Sequence, residues 1–189
     1  MKKINTLIIA MLVTVAATAQ TWTLDKAHAK LGFSITHLLV SDVEGSFKSI
    51  DATITSTKED FSDAVIEFKG DAASITTDNT DRDTHLKSAD FFEVEKFTSL
   101  SFKSTSIKKG EGKKYKVTGD LTLHGVTKPV MLDVIINGPI VHPMNKKTIA
   151  GLKISGTIKR SDFGIGSKFP GAILSDEVVI NANGEFIKG

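Results

Sequence analysis

Five histidines, His28, His37, His85, His124 and His142, raise the first question of chemistry, because imidazole serves both metal ligation and proton transfer near neutral pH. Their spacing supports neither role. No pair stands at the i, i+4 helical separation of a zinc hydrolase, and no cysteine exists to join them, so only ligands converging from separate strands would build a metal centre. Asp78, Asp81 and Asp83 are acidic enough for calcium but lack the spacing and central glycine of an EF-hand loop. Asp162-Phe163-Gly164 spells a kinase triplet without the glycine-rich loop or catalytic-loop signature that gives it meaning. Gly164-Ile165-Gly166 runs into Ser167-Lys168-Phe169, so a dinucleotide fingerprint fails at its third glycine. There is no nucleophile elbow, and the absence of cysteine removes thiolate nucleophiles, disulfides and thiolate metal sites together. The spacing of the reactive residues argues against an enzyme.

The elements that carry these residues read as antiparallel β. Period-two alternation, which gives a strand one wet and one dry face, recurs along the chain. It runs through Leu31 to His37, Ala64 to Lys69, Leu100 to Lys103, Tyr115 to Leu123, Val130 to Ile136, Lys153 to Lys159 and Val178 to Phe186. An opening strand at Trp22 and another from Val43 to Thr57 bring the expectation to eight or nine strands. Lys109-Gly110-Glu111-Gly112-Lys113 separates two strands, and Asn137-Gly138-Pro139 is expected to end another. One short helix is expected near residues 81–89, with Thr80 as N-cap and Asp83 closing a capping box. Gly119, Ala182 and Gly184 fall on inward faces, where small residues either relieve crowding at a bend or leave room for a ligand. No linker or repeat divides the chain. Long strands and unbroken alternation favour a single closed barrel over a sandwich.

Met1-Lys2-Lys3, the apolar run from Ile4 to Val15 and Ala17-Thr18-Ala19 form the charged start, hydrophobic centre and small-x-small site of a cleavable signal peptide. The run is shorter than the roughly 20 residues a bilayer demands. Residues 1–19 are therefore expected to be an export signal and 20–189 the domain, located in a periplasm or outside the cell, with no transmembrane segment. The net charge of +2 falls to zero once Lys2 and Lys3 are removed, which withdraws any electrostatic case for nucleic acid or an anionic membrane. Eleven Phe stand against one Trp and one Tyr, and Phe, with no polar tip to satisfy, suits a dry interior.

Four ordered blocks then resemble the YceI-like family. They are Trp22-Thr23-Leu24-Asp25 with His28 and Phe33 to His37, Asp71 to Thr77 with Arg82 to Phe92, Gly119 to Val130, and Arg160 to Ile165. Ala29 stands where that family usually has Ser, and Phe97-Thr98 replaces an aromatic-Pro pair. The resemblance spans Trp22 to about Ile187. It implies a lipocalin-like antiparallel barrel that holds a polyisoprenoid, as prenyl pyrophosphate or isoprenoid quinone, without a cofactor; dimers occur in the family. On the alternation, Leu31, Phe33, Ile35, Phe68, Phe102, Val117, Leu132, Val134, Ile154 and Ile180 are the lumen candidates. Arg82, His85 and Arg160, inside the matched blocks, are the head-group candidates; the competing role is structural, Arg82 pairing with a nearby Asp and Arg160 bracing the Asp162 turn. Two other functions compete: an enzyme acting on a lipid or quinone through a site assembled from His28, His37 or His85, and a structural module whose barrel is filled by its own Phe.

Overall fold

Period-two alternation becomes a closed wall in the computed structural model, which describes residues 18–189. The strands are β1 (Gln20–His37), β2 (Ser41–Phe47), β3 (Ile50–Ser56), β4 (Val65–Asp71), β5 (Ile75–Thr76), β6 (Ser99–Lys109), β7 (Lys114–Leu123), β8 (Val126–Val141), β9 (Thr148–Lys159) and β10 (Leu174–Lys188). Among the described residues one α-helix, α1 (Thr80–Lys87), lies between β5 and β6. Every pairing is antiparallel, in the order β10-β9-β8-β7-β6-β4-β3-β1, and β1 pairs back onto β10 to close eight strands into a barrel. Closure leaves the ring without the open edge that makes a flat sheet prone to association. The segment from Met1 to Ala17, most of the expected export signal, lies outside the described residues.

The structure corrects the expected segmentation in three places. Trp22 and Leu31 to His37 belong to one long β1, which passes a register shift between Asp25 and Ala29 that interrupts the alternation without ending the strand. The stretch from Val43 to Thr57 is instead two strands, broken at Lys48-Ser49, so that β3 pairs with the start of β1 and β2 with its end. Asn137-Gly138-Pro139 does not end β8. It is a bulge, with Gly138 at φ 96°, beyond which Ile140 and Val141 resume pairing with Ile149 and Thr148.

Helix α1 begins one residue earlier than the expected capping box requires. Asn79, extended at φ −142°, is the N-cap, and its side chain accepts from the Arg82 N–H at 3.0 Å. Asp83 is committed elsewhere. It accepts from the Thr77 N–H at 2.7 Å and from the hydroxyls of Thr77 and Thr76, so it fastens the helix to β5.

One end of the barrel is solid. Trp22 packs on Phe61 with ring centroids 5.2 Å apart, and Ile54, the partner of Trp22 across the ladder, is fully buried. Phe61 comes from the loop of residues 57–64, which Asp63 ties down by accepting from the hydroxyls of Ser56 and Thr57 and from the Thr57 N–H. Those hydroxyl bonds hold the Asp63 carboxyl well below the usual carboxylate range. A depressed carboxylate stabilises the fold above its unfolded pKa and loses that contribution as pH falls toward its folded one. Asp63→Asn should therefore lower Tm by a few degrees at pH 7, with the gap to the parent closing between about pH 4 and pH 2. Thermal melts across that range check it, and a gap independent of pH would refute the assignment.

The small inward residues divide between the two roles considered for them. A Cβ on Gly119 would lie 2.4 Å from the Phe102 ring, so the neighbouring strand already occupies that space. Gly184 is crowded too, since a Cβ there would lie 2.7 Å from the Leu24 side chain, whereas Ala182 is half-buried and lines the lumen at the other side of the barrel.

Candidate functional site

Above the plug the barrel is hollow. A cavity of about 410 Å³ runs from the level of Leu24 and Ala52 up to the end that carries α1 and the loop of residues 164–173. All ten lumen candidates, Leu31, Phe33, Ile35, Phe68, Phe102, Val117, Leu132, Val134, Ile154 and Ile180, line it. They divide by wall. On β6, β7 and β8, Phe102, Val117, Leu132 and Val134 are buried in close packing. On β1, β9 and β10, Leu31, Phe33, Ile35, Ile154 and Ile180 are only half-buried, as is Phe68 on β4, although their side of the strand faces inward. Inward apolar groups that remain accessible are bordering space rather than neighbours. The barrel is therefore not filled by its own Phe.

The mouth is roofed by aromatic rings that strand alternation does not single out. Phe91 stacks on Phe169 with centroids 5.0 Å apart, and His85 meets both rings edge-on at 5.1 and 5.9 Å. Phe47 bridges Phe33 at 6.0 Å and Phe92 at 5.7 Å. The sequence signals for this roof are the excess of Phe in the composition and, for Phe91 and Phe92, their place in a family-like block, since Phe91, Phe92 and Phe169 lie in loops. His85 also approaches Asp90 at 3.3 Å, and Asp90 is held below the usual carboxylate range first by its bond from Lys168 and then by that histidine.

Two of the three head-group candidates stand at the rim. Arg82 donates through Nε to the Thr77 hydroxyl at 2.7 Å and through Nη2 to the Thr77 carbonyl at 2.9 Å, leaving Nη1 directed elsewhere. It pairs with Thr77, not with an Asp as its structural reading expects. Arg160 is different. It is buried, and its five N–H groups all go to backbone carbonyls: Nε to Ser175, Nη1 to Ile165 and Gly166, Nη2 to Phe169 and Leu174. A guanidinium has no sixth donor, so Arg160 has none left for a head group. It braces the loop of residues 165–175, beyond the Asp162 turn.

The histidines do not converge. His37 and His85 reach the cavity mouth, whereas His28 is exposed on the outer wall. There its Nδ1 lies 2.9 Å from Asp25 and 3.9 Å from Glu185, with the hydrogen bond to Asp25 raising its pKa and lowering that of Asp25. His124 Nδ1 donates to the Phe163 carbonyl at 3.1 Å, and His142 accepts from the Met144 and Asn145 N–H groups. Among the described residues no helix is long and apolar enough to cross a membrane.

Comparison with known proteins places this geometry. The YceI-like domain matches residues 22–186. A UPF0312 protein of Staphylococcus aureus strain N315 is 37% identical over 169 residues, covering 87% of this chain and 96% of its own. The crystal structure of the Campylobacter jejuni YceI protein superposes with a TM-score of 0.71 at 34% identity, covering 87% of this chain and 96% of that one. A polyisoprenoid binding domain from Saccharophagus degradans, implicated in plant cell wall breakdown, shares the fold with a TM-score of 0.65 at 16% identity, over 89% and 98% of the two chains.

Proposed function

The chain belongs to the YceI-like domain family, and on that premise we propose that it is an exported, non-catalytic protein that holds the tail of a long isoprenoid amphiphile, a prenyl pyrophosphate or quinone, in its lumen. The observation that carries this reading is the hollow upper barrel, where Leu31, Phe33, Ile35, Ile154 and Ile180 face space instead of one another. Each CH₂ moved from water onto such a wall contributes roughly 0.8 kcal/mol, so a polyprenyl tail has a large gross drive to enter, reduced by its own ordering. Nothing in that process asks for a reactive group. The S. degradans domain, which shares the fold, is a polyisoprenoid binder and supports the ligand class. Arg82 and His85 at the rim suit a polar or anionic head, since charge-assisted donors favour such groups. Export is supported by the apolar leader from Ile4 to Val15 and the Ala17-Thr18-Ala19 site.

Native mass spectrometry of protein purified from its own host tests the reading. The expected spectrum shows the polypeptide plus a single isoprenoid that collisional activation releases. The bare polypeptide mass alone, under conditions that keep other lipid carriers loaded, would rule it out.

A further inference from the structure

The hairpin joining β1 to β2 ends in three apolar residues, Leu38, Leu39 and Val40, and it keeps them in water. Leu39 is 72% exposed and Val40 84%. The Val40 N–H donates to the His37 carbonyl at 3.1 Å, which closes a tight turn with Leu38 at φ 53° and Leu39 at φ 57°. Two successive left-handed residues are the mark of a type I′ turn, whose central positions favour Asn-Gly because a Cβ is strained there. Leucine at both places is the poor choice for the turn, and the exposed side chains return nothing to the core. Strain retained without packing gain points to a role outside the fold.

The tip is held rigidly beside the cavity mouth. The Leu38 N–H donates to the Ile173 carbonyl at 2.8 Å, the Thr36 N–H to the Ser175 hydroxyl at 3.1 Å, and Ile173 both lines the cavity and is itself exposed. Apolar surface is therefore continuous from the tip, across Ile173, into the lumen. Neither contributing segment carries a charge, from Leu38 to Ser41 or from Pro170 to Ser175. A handful of aliphatic side chains falls far short of the roughly 20–30 residues a side that a stable protein partner buries. An uncharged apolar tip of that size fits an uncharged apolar phase.

We propose that Leu38, Leu39 and Val40 insert into the surface of a phospholipid bilayer, and that the lumen exchanges its isoprenoid with the membrane at this contact. The inference rests on the isoprenoid reading of the lumen, but its test separates the two. The double variant Leu38→Asn with Leu39→Gly installs the residues the turn favours, so it should melt no lower than the parent and leave the lumen untouched. In flotation with phosphatidylcholine vesicles free of quinone, the parent should rise with the vesicles and the double variant should lose about tenfold or more in partition. Met144→Ser, at the opposite end and 86% exposed, should float like the parent. With ubiquinone-8 as probe, the double variant should take it up about tenfold more slowly from phosphatidylcholine vesicles, yet equally fast from a cyclodextrin complex. Equal flotation of parent and double variant overturns the docking claim whatever the quinone does. Failure of every protein to take quinone from either donor, with flotation as expected, instead overturns the lumen reading and leaves membrane contact standing.

Discussion

Ala182→Trp should leave the protein folded and unable to hold its lipid. Ala182 sits on β10, opposite Leu31 of β1 and Ile154 of β9, and its side chain faces the cavity from the half-buried wall. An indole there projects into the space that the tail would occupy. Displacing even four CH₂ groups from the wall at roughly 0.8 kcal/mol each removes about 3 kcal/mol, or more than a hundredfold in affinity. The fold has little to lose, because the new ring enters a void instead of a packed core, where overpacking is costly. The melting temperature should stay within a few degrees of the parent or rise, since a filled cavity regains dispersion contacts. Ubiquinone binding and thermal melts, run on the same preparation, check both halves. Unchanged affinity in a folded variant would mean that the tail does not lie along this wall.

The wall was legible in sequence because alternation is a local property. Ile154 and Ile180 declare their face through their own neighbours, Lys153 and Ser155 on one strand, Val179 and Asn181 on the other. Closure is not local. The partner of Leu31 is Ala182, and no pattern within either strand names the other. The same limit explains the helix start. Asn79 and Thr80 are both sound N-caps, and what decides between them is Asp83, drawn away from the helix by Thr76 of β5 and by Thr77 just after it. Asn137-Gly138-Pro139 reads as a stop by composition and becomes a bulge because Ile140 still finds Ile149 across the ladder. Arg160 was the least legible of the site candidates. Its partners are five carbonyl oxygens, which every residue type carries alike, so nothing in the sequence marks them.

Arg160 consequently gives the second large effect, and one that separates bracing from head-group recognition. The side chain is buried and gathers the carbonyls of Ile165, Gly166, Phe169, Leu174 and Ser175 around one guanidinium. Asp176, the carboxylate beside it, is engaged by the Ser161 N–H at 3.0 Å and hydroxyl at 2.8 Å instead of by the arginine. Arg160→Met keeps most of the aliphatic bulk and removes every donor. Each buried acceptor left without a partner costs about 1–3 kcal/mol, less where the loop opens to water, so a total near 4 kcal/mol is expected. For a domain of this size that is a fall in Tm of about 10 °C. Arg160→Lys should recover little of it, because an ammonium has three donors and lacks the planar fork that reaches carbonyls on several sides. The loop of residues 164–173 should become the first site of limited proteolysis, and with it Phe169 should leave the roof. A bracing arginine therefore predicts a large loss of stability, with lipid affinity falling only as the roof loosens. A head-group arginine predicts the reverse, lost affinity at an unchanged melting temperature, and that outcome would return Arg160 to the ligand.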